Sequence, residues 1–172
     1  MKDKHMNKSR YKIQDNSRVK YTDVVQKNQL KEVGVRLVKE NILYSENPLS
    51  IPENAVDKMK ELLVEMDREV MLVLNLTTKS RVINYSKVSL GSINQTIISA
   101  REVFKVAILS NAAAIILMHN HPSGDVRPSH EDVEVTRKMM KAGKLLGIEV
   151  LDHIIIGAYT GKYLSFMTEN MM

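Results

Sequence analysis

No cysteine occurs among the 172 residues, which excludes a disulfide framework and any thiolate metal site and agrees with a reducing compartment. Any metal must therefore be held by His, Asp, Glu or water. Long apolar runs are missing too. None approaches the roughly 20 residues a membrane helix needs, and Met1 to Arg10 lacks the apolar stretch of a secretory signal. The expectation is a soluble, cytoplasmic protein with no membrane partner. Internal repeats and low-complexity tracts are absent, and the length suits one ordinary domain with some peripheral sequence.

The formal charge is +5 and it is unevenly spread. Met1 to Lys31 holds nine Lys or Arg against three Asp, so the rest of the chain is close to neutral. Residues 1–31 read first as a solvated, partly disordered basic segment, because they lack core-forming residues. The sharper alternative is an arm that contacts DNA or an acidic partner. Its aromatics, Tyr11 and Tyr21, are too sparse for a base-stacking platform.

Residues 32–172 carry the pattern of a folded domain. Alternating Val33, Val35 and Leu37 predict a strand within Glu32 to Tyr44. Ser50 with Glu53 has capping-box spacing, and Val56, Met59, Leu62, Leu63 and Met66 predict a helix to about Met66. Val70 to Leu76 reads as a strand, with Arg81 to Val88 as its hairpin partner across Thr77 to Ser80. Ser99 and Glu102 open a second helix, which Asn111 stops. Ala113 to Met118 is an apolar strand, His119 to Pro128 a loop, and Ser129 with Asp132 opens a third helix that Gly147 ends. Strands follow at Ile148 to Ile156 and near Tyr163 to Phe166. This order predicts an α/β fold, one mixed sheet with flanking helices.

Two histidines, His119 and His121, stand two apart where an apolar strand ends, so the period of a strand points both rings the same way. Pro122 stops the strand and Gly124 lets the chain turn. Asp132, in the first turn of the next helix, could add a carboxylate oxygen. Two nitrogens and one oxygen leave a fourth tetrahedral position for water, as catalytic Zn2+ sites do. The plainer reading of Asp132 is a helix-capping residue, and both roles fit one carboxylate with two oxygens. The same ligand types also make the facial triad of non-haem iron oxygenases.

His119-Asn120-His121-Pro122 followed by Ser129 and Asp132 resembles the His-x-His-Pro…Ser-x-x-Asp spacing of JAMM metalloproteases. The wider text HNHPSGD…PSHED…AGKLLGIEVLDHIIIG, with SLGSINQTI and AREVFK upstream, resembles the bacterial RadC family from about Asp67 to Phe166. The resemblance implies a JAMM/MPN-like domain with cytidine-deaminase-like layering and a zinc-dependent hydrolase of amide or isopeptide bonds in a protein or peptide. RadC relatives often add a helix-hairpin-helix domain, and the sequence before Ser50 has no pattern for it, so a short, catalytic-domain-only form is expected. The resemblance further implies a glutamate that takes a proton from the attacking water. Glu69, between the first core helix and its strand, is the preferred candidate over Glu102, which already has a capping role. Ser129 resembles the serine that helps hold the oxyanion.

His153, in an apolar strand, reads as a satisfied core histidine or a residue behind a ligand. His130 reads as exposed, and Asp125 as a loop former with a lesser claim to support a histidine ring. Two other function classes compete: a DNA-repair-associated DNA-binding protein of the RadC type, and a scaffold that keeps the fold without the reaction. Self-association through an exposed strand edge is a further expectation.

Overall fold

The computed structural model describes residues 34, 36–39, 50–90 and 98–172. The expected basic segment 1–31, most of the strand expected within 32–44, and nearly all of SLGSINQTI lie outside the described residues. The chain divides into two units, residues 1–35 and 36–172, and the elements named below belong to the second. They run α1 (Pro52–Val64), β1 (Val70–Leu76), β2 (Val82–Leu90), α2 (Ala100–Leu109), β3 (Ala114–His121), α3 (His130–Leu146), β4 (Glu149–Gly157) and β5 (Tyr163–Ser165).

The five strands form one sheet in the order β2-β1-β3-β4-β5. Only the β3–β4 pair is parallel, joined by the crossover through α3, and the other three are antiparallel. Helices cover both faces, which is why β1 and β3 read as nearly unbroken apolar runs instead of alternating with polar residues. On one face Ala55, Met59 and Leu63 of α1 pack on Leu72, Leu74, Ile116, Met118 and Ile154. On the other, Val103, Phe104 and Ala107 of α2 and Met139 of α3 pack on Met71, Val73, Ile115 and Leu117.

Ser99 and Ser129 cap α2 and α3 as their spacing predicts, and the α3 capping box is complete. Gly147 ends α3 in the left-handed region, at φ 68°. Ser50 does not cap α1. Ile51 occupies that position without a side-chain bond, and Pro52, whose fixed φ suits the first helical residue, starts the helix instead. The Ser50 carbonyl accepts the Val82 N–H at 3.0 Å and its hydroxyl accepts from Arg81. Residues 36–39 belong to no strand. Leu37, the one member of the expected alternation among the described residues, is 47% exposed and its neighbour Val38 75%. Strand β3 also runs on through His121, beyond the expected end at Met118. Among the described residues no helix is long and apolar enough to cross a membrane.

Candidate metal centre

The faces of β3 decide what its last residues meet. Ile115 and Leu117 point to the α2/α3 side, so by the period of two His119 and His121 continue that row toward α3. Asn120 points with Ile116 and Met118 to the α1 side. The centre therefore forms at the carboxyl end of β3, where open α/β sheets place their ligands, opposite the N-terminus of α3. Asp132 is buried there in the first turn of the helix.

His119 Nε2 and His121 Nε2 lie 3.0 Å apart. Asp132 Oδ1 is 3.2 Å from His119 Nε2, and Asp132 Oδ2 is 3.4 Å from His121 Nε2. Ligand atoms around a tetrahedral ion with bonds of ~2.0–2.1 Å stand about 3.3–3.4 Å from one another, close to these separations. The chemistry of the donors agrees. His121 Nδ1 lies 2.7 Å from the Asp125 carbonyl, which can only accept, so the ring's proton is on Nδ1 and Nε2 is bare when the ring is neutral. Two ring nitrogens and a carboxylate converging in a buried place repel one another unless a proton or a cation sits among them. His119, His121 and Asp132 form a group that could hold a metal ion.

Ser129 and Asp132 are bonded reciprocally. Asp132 Oδ2 accepts from the Ser129 backbone N–H at 2.8 Å and from its hydroxyl at 2.7 Å, while that hydroxyl accepts the Asp132 N–H at 3.1 Å. Capping and site-building coincide in one carboxylate. Burial opposes ionisation of Asp132, but the imidazoles of His119 and His121 beside it, with help from the Ser129 hydroxyl, outweigh it and hold the carboxyl far below the usual range. The same contact raises His121 above the usual histidine value, against burial, and the charge of Glu69 adds a smaller push in the same direction.

Glu69 is half-buried and directly precedes β1. The β1–β3 register pairs Met71 with His119, so two residues further along Glu69 comes opposite His121. Asn120 secures this segment. Its Oδ1 accepts the Val70 N–H at 2.8 Å, and its Nδ2 donates to the carbonyls of Arg68 at 3.0 Å and Met66 at 3.3 Å. Glu102 lies elsewhere in its bonding, paired with Lys105 at 2.5 Å on the surface of α2.

Around the ligands, His153 is fully buried with Nε2 2.8 Å from His119 Nδ1 and Nδ1 2.6 Å from the Thr136 hydroxyl. Burial, and then the neighbouring His119, keep its pKa well below the usual value. His130 is exposed. Asp125 supports His121 through its backbone carbonyl, whereas its carboxylate binds Arg127, which lowers the carboxyl to about 2. The loop after β3 is pressed against the end of β4. A Cβ at Gly157 would lie 2.5 Å from the Gly124 carbonyl oxygen, so only glycine fits there.

Asn120 and Thr136 were not singled out by sequence reasoning. A signal existed for each: a polar residue on the apolar face of a buried strand, and a hydroxyl one helical turn after Asp132.

Comparison with known proteins follows the same lines as this geometry. The RadC-like JAB domain profile matches residues 49–171. A UPF0758 protein of Methanosarcina mazei is 44% identical over 124 residues, covering 72% of this chain and 53% of that protein. One of Pelobacter propionicus is 48% identical over 121 residues, 70% of this chain and 52% of that protein. One of Geotalea uraniireducens is 52% identical over 105 residues, 61% and 45% of the two chains. The chain spans about half the length of these relatives. The matched span contains every element from α1 to β5 together with His119, His121 and Asp132, and the chain belongs to the RadC-like JAB domain family.

Proposed function

We propose that this chain is a zinc-dependent hydrolase of amide or isopeptide bonds in a protein or peptide. The observation that carries the reading is the convergence of His119 Nε2, His121 Nε2 and the Asp132 carboxylate within 3.0 to 3.4 Å, beside the negative charge of Glu69. Zinc held by these three side chains would supply Lewis acidity, lowering the pKa of a coordinated water towards ~7 and polarising a carbonyl. Glu69 takes the proton of the attacking water and later delivers it to the departing amine. Asn120 holds the backbone on both sides of Glu69 and so fixes the point from which its side chain starts, opposite His121 across β1 and β3. Ser129 donates to the developing oxyanion by turning its hydroxyl proton away from Asp132 Oδ2, exchanging one charge-assisted bond for another.

Glu69→Gln separates binding from chemistry. Screened against a mixed library of peptides and ε-lysyl isopeptides, the wild type is expected to cleave and the variant to lose about 10²–10⁴-fold in turnover. Zinc content is expected to stay at the wild-type level. Undiminished turnover in the variant would remove Glu69 from its role.

A further inference from the structure

We propose that Thr136 and His153 are positioning residues which force His119 to carry its proton on Nδ1, so that the Nε2 lone pair faces the centre. The inference rests on the reading of His119 as a metal ligand and on the number of protons that a buried hydrogen-bonded chain has to share. Thr136 Oγ1 lies 2.7 Å from the Asp132 backbone carbonyl. Two oxygens at that distance need a proton between them, and the carbonyl has none, so Thr136 donates. Its single proton is then spent. The contact of 2.6 Å between Thr136 Oγ1 and His153 Nδ1 must be filled by a proton on His153. That leaves the neutral His153 with a bare Nε2, and the 2.8 Å contact to His119 Nδ1 takes its proton from His119.

Each step has one solution because the carbonyl at the end of the chain cannot donate. Without the hydroxyl, His153 is free to take its other tautomer and donate from Nε2 to His119. His119 would then carry its proton on Nε2, aimed at Asp132 Oδ1 3.2 Å away and into the space a cation would fill. His119, Asp132, Thr136 and His153 are all at most 2% exposed, so solvent is poorly placed to replace the missing partner. Asp132 thus serves twice: its carboxylate faces the centre, and its backbone carbonyl dictates the tautomer of the histidine beside it.

The arrangement is checked first in metal-free wild-type protein by ¹⁵N–¹H correlation spectra of the imidazoles. The expected pattern is a proton on Nδ1 and a bare Nε2 for His153, with a proton on Nδ1 of His119. A proton on His153 Nε2 would overturn the proposal, whether or not the protein binds zinc. Thr136→Val keeps the shape and removes the hydroxyl. It is expected to move the His153 proton to Nε2 and to weaken zinc binding, measured by competition with a chromogenic chelator, by about 10–100-fold. Thr136→Ser is expected to restore both. Unchanged affinity and spectra in the valine variant, or a serine variant as weak as valine, would assign Thr136 to packing and overturn its role. Failure of the wild type to bind zinc would instead strike the metal reading, with the spectra still deciding the tautomer.

Discussion

His121 shows how a single ring is prepared for a cation and what that preparation costs in its absence. The Asp125 carbonyl fixes the proton on Nδ1, while Asp132 beside Nε2 raises the ring's pKa above 6.5. A metal ion entering the centre competes with that extra proton. Below the raised pKa, binding must expel the proton and weakens as pH falls. Above it, that proton has already left. In metal-free protein the imidazole signals of His121, followed by NMR as the pH is changed, are therefore expected to titrate above the ordinary histidine value, and Asp132→Asn is expected to bring that midpoint down. A His121 midpoint at or below the ordinary value would contradict this account of His121. At this scale the sequence was informative about His119, His121 and Asp132, since period and spacing point to them directly. The partners behind them were not legible, because a backbone carbonyl such as that of Asp125 leaves no mark in a sequence.

Among the elements, β3 presents opposite faces to two tasks, and Asn120 is the residue that joins them. Flanked by His119 and His121, it turns to the α1 side and clamps residues 66–70. Asn120→Ala would leave the buried Val70 N–H without its acceptor, a loss of about 1–3 kcal/mol. Urea denaturation is expected to show that loss, zinc content to stay at the wild-type level, and turnover to fall because Glu69 loses its support. Wild-type stability in the variant, or loss of the metal with it, would contradict the clamp.

Strand β4 marks the limit of pattern reading. Val150 packs with Ile115 and Leu117 on the α2/α3 side, and strict alternation would turn His153 to the α1 side. The β3–β4 register shifts between Ile115 and Ile116, placing one extra residue in β4, and this flips the strand so that His153 faces Thr136 and His119. Nothing in the run IEVLDHIII announces that bulge. The caps divide similarly. Ser99 and Ser129 act as their spacing predicts, whereas Ser50 is overruled by Pro52 and by the donors its carbonyl and hydroxyl find at Val82 and Arg81, respectively.

For the molecule as a whole, the mixed sheet with helices on both faces was legible because β1 and β3 are apolar on both faces and the helices between them are amphipathic. The crossover from β3 through α3 to β4 then brings a strand end and a helix start together, which is what assembles ligands far apart in the chain. Of the alternating Val33, Val35 and Leu37 only Leu37 lies among the described residues, and residues 36–39 join no strand. The account stands or falls on whether the whole chain holds an ion where these elements meet. Elemental analysis of protein purified without chelator and equilibrated with zinc tests this most directly. A single tightly held ion per chain, lost in Asp132→Asn, is the expected result. A wild-type chain without stoichiometric metal, or an Asp132→Asn variant that retains it undiminished, would contradict the account.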